Sequence, residues 1–367
     1  MTYIEGQAAY LHYTKKPWIK PEGVYPHLLP LRSNKLESPD QDIQARKKQQ
    51  MPGAFQMVAP PPYALVQPWL LCIGEMLWEN GDRVPCAFKK VPYESPAEQC
   101  RAEAELAALR DAEGCEHIVQ CYGAFDHCEP ADGKHYLWIA MEYVEGATFW
   151  EVYQELIDMH ADPHFADKWY TAGRTLLKHV LKALDWLHGQ GRGHCDLKVD
   201  NLRIRPGKER GTICHVTLLD MGGSVKFAGP NREWPASIMC NISASCPEYA
   251  RQDPEEYVDA CAHDMWGVGY LLLRVLGNFA PWSFNATGSA EGTRAIICAF
   301  HEVWAESYLI PDAVNKAGAH GILDDLYDFL TAPGQYEAAA PLVRHLLHPE
   351  VTSRATVKQA LAATFFS

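Results

Sequence analysis

The chain has 367 residues, 47% apolar and 22% charged, a balance that excludes a mainly disordered or fibrous protein. Lys and Arg total 33 against 46 Asp and Glu, a formal charge of −13, so a nucleic-acid-binding surface is not expected as the main activity. Apolar runs such as Tyr270–Leu273 are too short to span a bilayer, and Met1–Gly6 lacks the basic start and apolar stretch of a secretory signal.

In chain order, residues 1–62 stand apart. Pro17, Pro21, Pro26, Pro30, Pro39 and Pro60–Pro62 prevent long helices and remove sheet donors. This segment reads as an extension that is mobile or lies along the folded body, with Trp18 and Tyr25 available to dock on it or on a partner. From Tyr63 to about Val91 the pattern predicts a β-hairpin turning at Glu79–Asp82. Residues 96–111, rich in Ala, Glu, Leu and Arg, predict a helix. Two β-prone runs follow, Ile118–Phe125 and His135–Tyr143.

Beyond Gly146 the character changes to helices. In Thr175–Gly189 the residues Leu176, Leu177, Val180, Leu181, Leu184 and Leu187 recur at helical spacing. Asp264–Gly277 and Val357–Phe366 read the same way. Strands first and helices second predict an α+β chain. The twelve cysteines form no Cys-x-x-Cys pair and read as reduced thiols in a cytoplasmic or nuclear protein. The Cys115–Cys128 stretch lacks the ligand spacings of a zinc site.

The chemistry concentrates in His194-Cys195-Asp196-Leu197-Lys198-Val199-Asp200-Asn201, after the Thr175–Gly189 helix. Asp220-Met221-Gly222 follows at the end of the apolar run Val216–Leu219. An Asp in a tight loop, an Asn beyond it and a second Asp at a strand end offer the oxygen ligands that Mg²⁺ shares with phosphates. Asp196 can then accept a hydroxyl proton while Lys198 faces the transferred phosphoryl group. The turn residues alone also fit a merely structural loop.

These residues resemble the protein kinase family, whose catalytic loop reads H-R-D-L-x-x-x-x-N and whose metal loop reads D-F-G. Cys86-Ala87-Phe88-Lys89 resembles its V-A-I-K strand, and Leu137–Gly146 its hinge. Cys246-Pro247-Glu248 stands for A-P-E, Asp264–Gly269 resembles the D-x-W-x-x-G helix, and Leu342–Arg354 the closing L-L-x-x-D-P-x-x-R element. The resemblance implies a bilobal fold: an extension at 1–62, a small β-rich lobe with one helix and the hinge at 63–145, and a larger helical lobe at 146–367. It implies ATP and Mg²⁺ as cofactors and a protein substrate, without membrane insertion.

Carried over residue by residue, the resemblance gives Asp196, Lys198, Lys89 and Glu103 catalytic roles, with Glu105 the alternative to Glu103 as the Lys89 partner. Asn201 and Asp220 would hold the metal. Gly74, Ala87, Lys89, Met141, Glu142, Val144 and Arg203 would line the nucleotide site. Arg354 would pair with Glu248 in a buried bridge, and His194 reads as a packed core histidine. Lys90 replaces Lys89 as the inward residue if the strand slips by one position.

Four departures bear on activity. Of the glycine-rich loop only Gly74 is left, with Trp69 and Leu71 at the first two glycine positions. Cys195 replaces the Arg that normally meets an activation-loop phosphate. Arg203 stands where the family has an apolar floor for adenine, to stack on the base or obstruct it. Asn241 replaces the Thr that bonds the catalytic Asp, with Ser243 a substitute nearby. Met221 for Phe is milder, because Met fills apolar gaps.

Three functions fit. The first is an ATP-dependent Ser/Thr protein kinase, for which Lys198 two residues after Asp196 speaks. The second is a pseudokinase acting as scaffold or allosteric module, favoured by the eroded glycine loop. The third is a small-molecule phosphotransferase, opposed by Pro247-Glu248 and the elements from Asp264 to Arg354.

Overall fold

The computed structural model describes residues 10–11, 16–17, 54–57, 70–77, 83–128, 133–227, 233–235, 245–251, 257–276, 290–309 and 337–367. The chain divides into two units, Met1–Val144 and Glu145–Ser367.

The first unit is one antiparallel sheet with a helix. Its strands are β1 (Tyr10–Leu11), β2 (Lys16–Pro17), β3 (Ala54–Met57), β4 (Leu70–Leu77) and β5 (Arg83–Tyr93), then, after the helix α1 (Pro96–Asp111), β6 (Cys121–Cys128) and β7 (His135–Glu142). They lie in the order β2-β1-β6-β7-β5-β4-β3. The expected hairpin is β4–β5, in register from Leu70 opposite Lys90 to Leu77 opposite Arg83. Its turn at 79–82 lies outside the described residues.

Strand β7 is central, so Tyr136–Met141 are buried on both faces instead of alternating. Three short strands come from the proline-rich segment. Of these, β1 meets β6 at Leu11 opposite Phe125, and β3 pairs with β4. The rest of that segment, with Trp18 and Tyr25, lies outside the described residues.

Helix α1 starts where the sequence dictates. The Ser95 hydroxyl accepts the Glu98 N–H at 3.3 Å, and the Glu98 carboxylate accepts the Ser95 N–H at 3.1 Å. This capping box, with Pro96 just inside, satisfies donors that the first turn would otherwise leave open. The helix buries Ala102, Glu105, Leu106, Ala108 and Leu109, one stripe at three- and four-residue spacing.

The second unit opens with β8 (Ala147–Thr148), α2 (Phe149–Ile157), α3 (Phe165–Gly189) and β9 (Arg192–Gly193). The hairpin β10 (Leu202–Pro206) and β11 (Ile213–Leu218) follows, and β8 pairs on the outer side of β10. Next come β12 (Val225–Lys226), β13 (Glu233–Pro235), α4 (Pro247–Arg251), β14 (Tyr257–Asp259) and α5 (Ala260–Leu276). The last helices are α6 (Ala290–Leu309), α7 (Ala339–Leu346) and α8 (Val357–Leu361).

Helix α3 begins ten residues before the predicted start, because Trp169, Ala172 and Leu176 continue its buried stripe. Helix α5 is buried on every side from His263 to Leu273, and α3 packs against it. Gly173 permits that approach: a Cβ there would lie 2.5 Å from Leu276 Cδ2. Strand β9 leads out of α3 and pairs with β12, so the loop between β9 and β10 starts and ends on fixed structure. The architecture is α+β. Among the described residues no helix is long and apolar enough to cross a membrane.

Candidate active site

In the first unit, neighbouring lysines on β5 point to opposite faces, as pleating requires. Lys89 Nζ lies 2.6 Å from Glu105 Oε1, with the two side chains 14% and 6% exposed. Lys90 Nζ instead stands 3.8 Å from the centre of the Tyr136 ring, a cation–π contact. The partner of Lys89 is therefore Glu105, and the expectation of Glu103 is corrected. Glu103 is exposed and accepts a bond from Gln99 at 3.1 Å. The signal was in the sequence: Glu105 falls on the stripe of Ala102, Leu106 and Leu109, and Glu103 does not.

The other residues expected in this unit sit on neighbouring strands. Gly74 on β4 is opposite Cys86, and Ala87 on β5 lies between Ile73 and Met141. Met141 is buried, and its carbonyl accepts the Cys86 thiol at 2.9 Å. The Glu142 N–H donates to the Gln120 carbonyl at 2.8 Å, so that donor is already used. Val144 is half-buried just beyond β7. Trp69 lies outside the described residues, and Leu71 pairs with Lys89 across the sheet. Burial pushes the Cys121 thiol up to about 12, which keeps it protonated.

In the second unit the loop from His194 to Asn201 hangs from one buried carboxylate. Asp264 on α5 accepts the His194 N–H at 2.8 Å and the Cys195 N–H at 2.7 Å, and His188 Nε2 lies 2.9 Å away. Burial pushes the Asp264 carboxyl up, but the His188 hydrogen bond and nearby histidine charges outweigh it and hold the group below its ordinary value. Cys195 takes a left-handed backbone, φ 61°, which turns the chain at Asp196. His194 is fully buried, as expected, and its Nδ1 accepts the Asp196 N–H at 3.2 Å.

Around Asp196 the expected residues come together. Lys198 Nζ bonds Asp196 Oδ2 at 2.7 Å. Asn201 Nδ2 donates to the Asp196 carbonyl at 2.9 Å and to its Oδ2 at 3.1 Å. Both Asn201 donors thus turn toward Asp196, leaving its amide oxygen as a hard ligand. The Asn201 carbonyl accepts the Leu219 N–H at 2.8 Å, tying the loop to the end of β11 just before Asp220.

Asp220 is also left-handed, φ 36°, and its Oδ1 accepts the Gly222 N–H at 2.9 Å. Gly223 then passes so close that a Cβ there would lie 2.8 Å from Asp196 Cβ, so only glycine fits. Met221 is fully buried, filling the core where the family has Phe. A carboxylate and an amide oxygen are hard donors of the kind Mg²⁺ takes, which is the chemistry expected of Asp220 and Asn201.

Arg203 on β10 lies between Thr148 and Thr217, half-buried. Glu151 is held below the usual carboxylate range by the Thr148 backbone and hydroxyl, with the Arg203 charge adding to them. Arg354 forks onto Glu248 at 2.9 and 2.7 Å. Burial opposes both charges, yet their mutual attraction lowers the Glu248 carboxyl and raises the Arg354 guanidinium. Asn241 and Ser243 lie outside the described residues. Sequence reasoning missed His188, for which no motif position gave a signal.

Residues 76–366 match the family model described as "Protein kinase domain", and the match starts downstream of Trp69–Gly74. The chain is 25% identical over 215 residues to MAP kinase-activated protein kinase 2 of Drosophila melanogaster, covering 56% of this chain and 54% of that protein. It is 27% identical over 243 residues to Ribosomal protein S6 kinase alpha-2 of Homo sapiens, covering 64% and 31%. MAP kinase-interacting serine/threonine-protein kinase 1 of Xenopus tropicalis is 22% identical over 219 residues, covering 58% and 48%. The chain thus spans about half the length of these relatives, or less. With the family model covering most of its length, the chain belongs to the protein kinase domain family.

Proposed function

We propose that the chain transfers the γ-phosphoryl group of ATP to Ser or Thr hydroxyls of a protein substrate. The observation that carries this is the bonding around Asp196, which Lys198 and Asn201 aim while Gly223 packs against it. In the reaction, the substrate oxygen forms a bond to the γ-phosphorus, the bond from phosphorus to the β–γ bridging oxygen breaks, and ADP leaves. Asp196 accepts the hydroxyl proton, and Lys198 offsets charge on the transferred group. Lys89, oriented by Glu105, is assigned to the α- and β-phosphates. Mg²⁺, when bound by Asn201 and Asp220, supplies charge neutralisation on the phosphates. Ser/Thr specificity rests on Lys198 and on the similarity to MAP kinase-interacting serine/threonine-protein kinase 1. A cytoplasmic or nuclear setting goes with this reading.

The test is transfer of labelled phosphate to a library of Ser/Thr and Tyr peptides, beside Asp196→Ala. Label on Ser/Thr peptides lost in that variant supports the reading; no label with any peptide overturns it. A pseudokinase is the second reading, favoured by Trp69 and Leu71 at the glycine positions and by Arg203. A thermal melt separates the two. A Mg²⁺-dependent shift with ATP, lost in Asp220→Asn, speaks for catalysis; no shift at millimolar ATP speaks for a binding module. Phosphorylation of free alcohols or amines with proteins ignored would favour a small-molecule phosphotransferase.

A further inference from the structure

Helix α5 is buried at every position from His263 to Leu276 save one, Arg274 in its last turn. A cation there suits the carbonyl end of the helix dipole, which accounts for the charge but not for where the side chain goes. Its Cζ lies 4.9 Å from the centre of the Trp150 ring. Trp150 on α2 is 43% exposed, yet its ring is held in place. The Trp150 Nε1–H donates to Asp200 Oδ1 at 3.3 Å, and the ring meets Phe149 at 5.2 Å and Tyr153 at 6.0 Å between centres, both edge-on. Asp200 is exposed and belongs to the loop that carries Asp196, four positions further on. That stretch of chain spans at most about 14 Å, so the Trp150 indole and the guanidinium over it lie close to the candidate base.

We propose that Arg274 is a specificity-determining residue, which takes the carboxylate of an Asp or Glu standing within about five residues of the phosphorylated Ser or Thr. The inference deepens the kinase reading and rests on it. Among the described residues no carboxylate or carbonyl bonds the Arg274 guanidinium, whose fork of N–H groups fits a carboxylate two bonds at a time. Contact with a held ring fixes the charge without spending those donors, so little side-chain freedom is lost on binding. Asp200, the acid on the same indole, already accepts the Trp150 N–H and makes no ion pair with Arg274. The Lys198 ammonium is bonded to Asp196, and the Glu151 carboxylate caps α2 at Thr148, so neither answers an incoming side chain as Arg274 does. A substrate laid out extended past Asp196 advances about 3.3 Å per residue and turns alternate side chains to this surface. A Lys or Arg at the same place would meet like charge.

The test uses the full-length protein and peptides with a single Ser in a neutral background, in which Asp, Ala or Arg is placed in turn at each of about five positions on either side. In the wild type, Asp at one position should raise kcat/KM about tenfold over Ala, and Arg there should lower it. Arg274→Gln should bring the Asp-to-Ala ratio close to one, and Arg274→Glu should make Arg the favoured residue at that position. Trp150→Ala, which releases the guanidinium, should lose part of the ratio. A merely structural role predicts slower transfer to all peptides with the ratio kept. Should Arg274→Glu not fold, Arg274→Gln carries the measurement. No position favouring Asp in the wild type, a wild-type preference for Arg, or a ratio that survives in Arg274→Gln overturns the proposal. A wild type that labels no peptide overturns the kinase reading instead, and fluorescence anisotropy of the same peptides, fluorescein-labelled, then decides the role of Arg274. Tighter binding of the Asp peptide that is lost in Arg274→Gln supports it, and equal binding overturns it.

Discussion

Each of the two units holds its own expected functional residues in a different way. In the first, Lys89 meets the Glu105 carboxylate, while in the sequence Trp69 and Leu71 stand at two of the three glycine positions. In the second, Asp196 is bonded by Lys198, Asn201 and His194, its loop hangs from Asp264, and Gly223 packs against it. The difference follows from what each part does. Glycines in a phosphate loop let backbone N–H groups approach, a service that degrades gradually as side chains grow. A carboxylate that takes a proton has no partial substitute, and small misplacement is expensive. The kinase reading therefore expects substitutions to be milder at the glycine positions than at Asp196.

The comparison breaks most cleanly at Asp196. Asp196→Ala should lower kcat by about 10³-fold, roughly 4 kcal/mol of transition-state stabilisation. The Asp264 grip does not involve the Asp196 side chain, so circular dichroism and the melt should stay near wild type. Activity within tenfold of wild type would remove Asp196 from the mechanism.

Next in size is the anchor behind the loop. Glu248→Ala leaves the Arg354 guanidinium buried without its carboxylate and should cost about 3 kcal/mol of stability, read by urea unfolding. A loss below about 1 kcal/mol would mean that the Arg354 contacts to the His348 carbonyl and the Trp266 ring suffice. On the first unit, Glu105→Gln should reduce kcat/KM by about tenfold, while Glu103→Gln changes nothing measurable. Equal effects of the two would refute the orientation of α1 as the reason Glu105 is the partner.

What was legible in the sequence divides along the same line. Motif spacing singled out Asp196, Asn201, Asp220, Glu248 and Arg354; the structure brings Asn201 onto Asp196 and Arg354 onto Glu248. Helix periodicity found the core of α3 and α5, whose apolar stripes recur regularly. Motif alignment favours Glu103 and leaves Glu105 as the alternative, while the Ala102–Leu106–Leu109 stripe alone says which carboxylate faces inward. The start of α3 was missed because Phe165–Arg174 mixes aromatic and charged residues, and its burial depends on tertiary contact with α5. The His188–Asp264 bond, 76 residues apart in the chain, has no local pattern to announce it.

The finest test of the second unit's tight hold is its response to acid. Burial lowers the pKa of His263 from 6.5 to about 4, outweighing the nearby Asp264 and Glu248 charges. The folded state therefore keeps the ring neutral where the unfolded chain already binds a proton. Stability is fully present above the unfolded value of 6.5 and is lost as pH falls toward about 4. Between about pH 7.5 and about pH 5.5 this amounts to roughly 1 kcal/mol. His301, also lowered by burial, adds to the slope in the same direction. Glu248 and Asp264, both held below their ordinary values, give way only at lower pH. His263→Gln should flatten the decline by its own share while leaving the His301 contribution. Parallel wild-type and variant curves over that range would show that the ring titrates in the folded protein as it does in the unfolded chain.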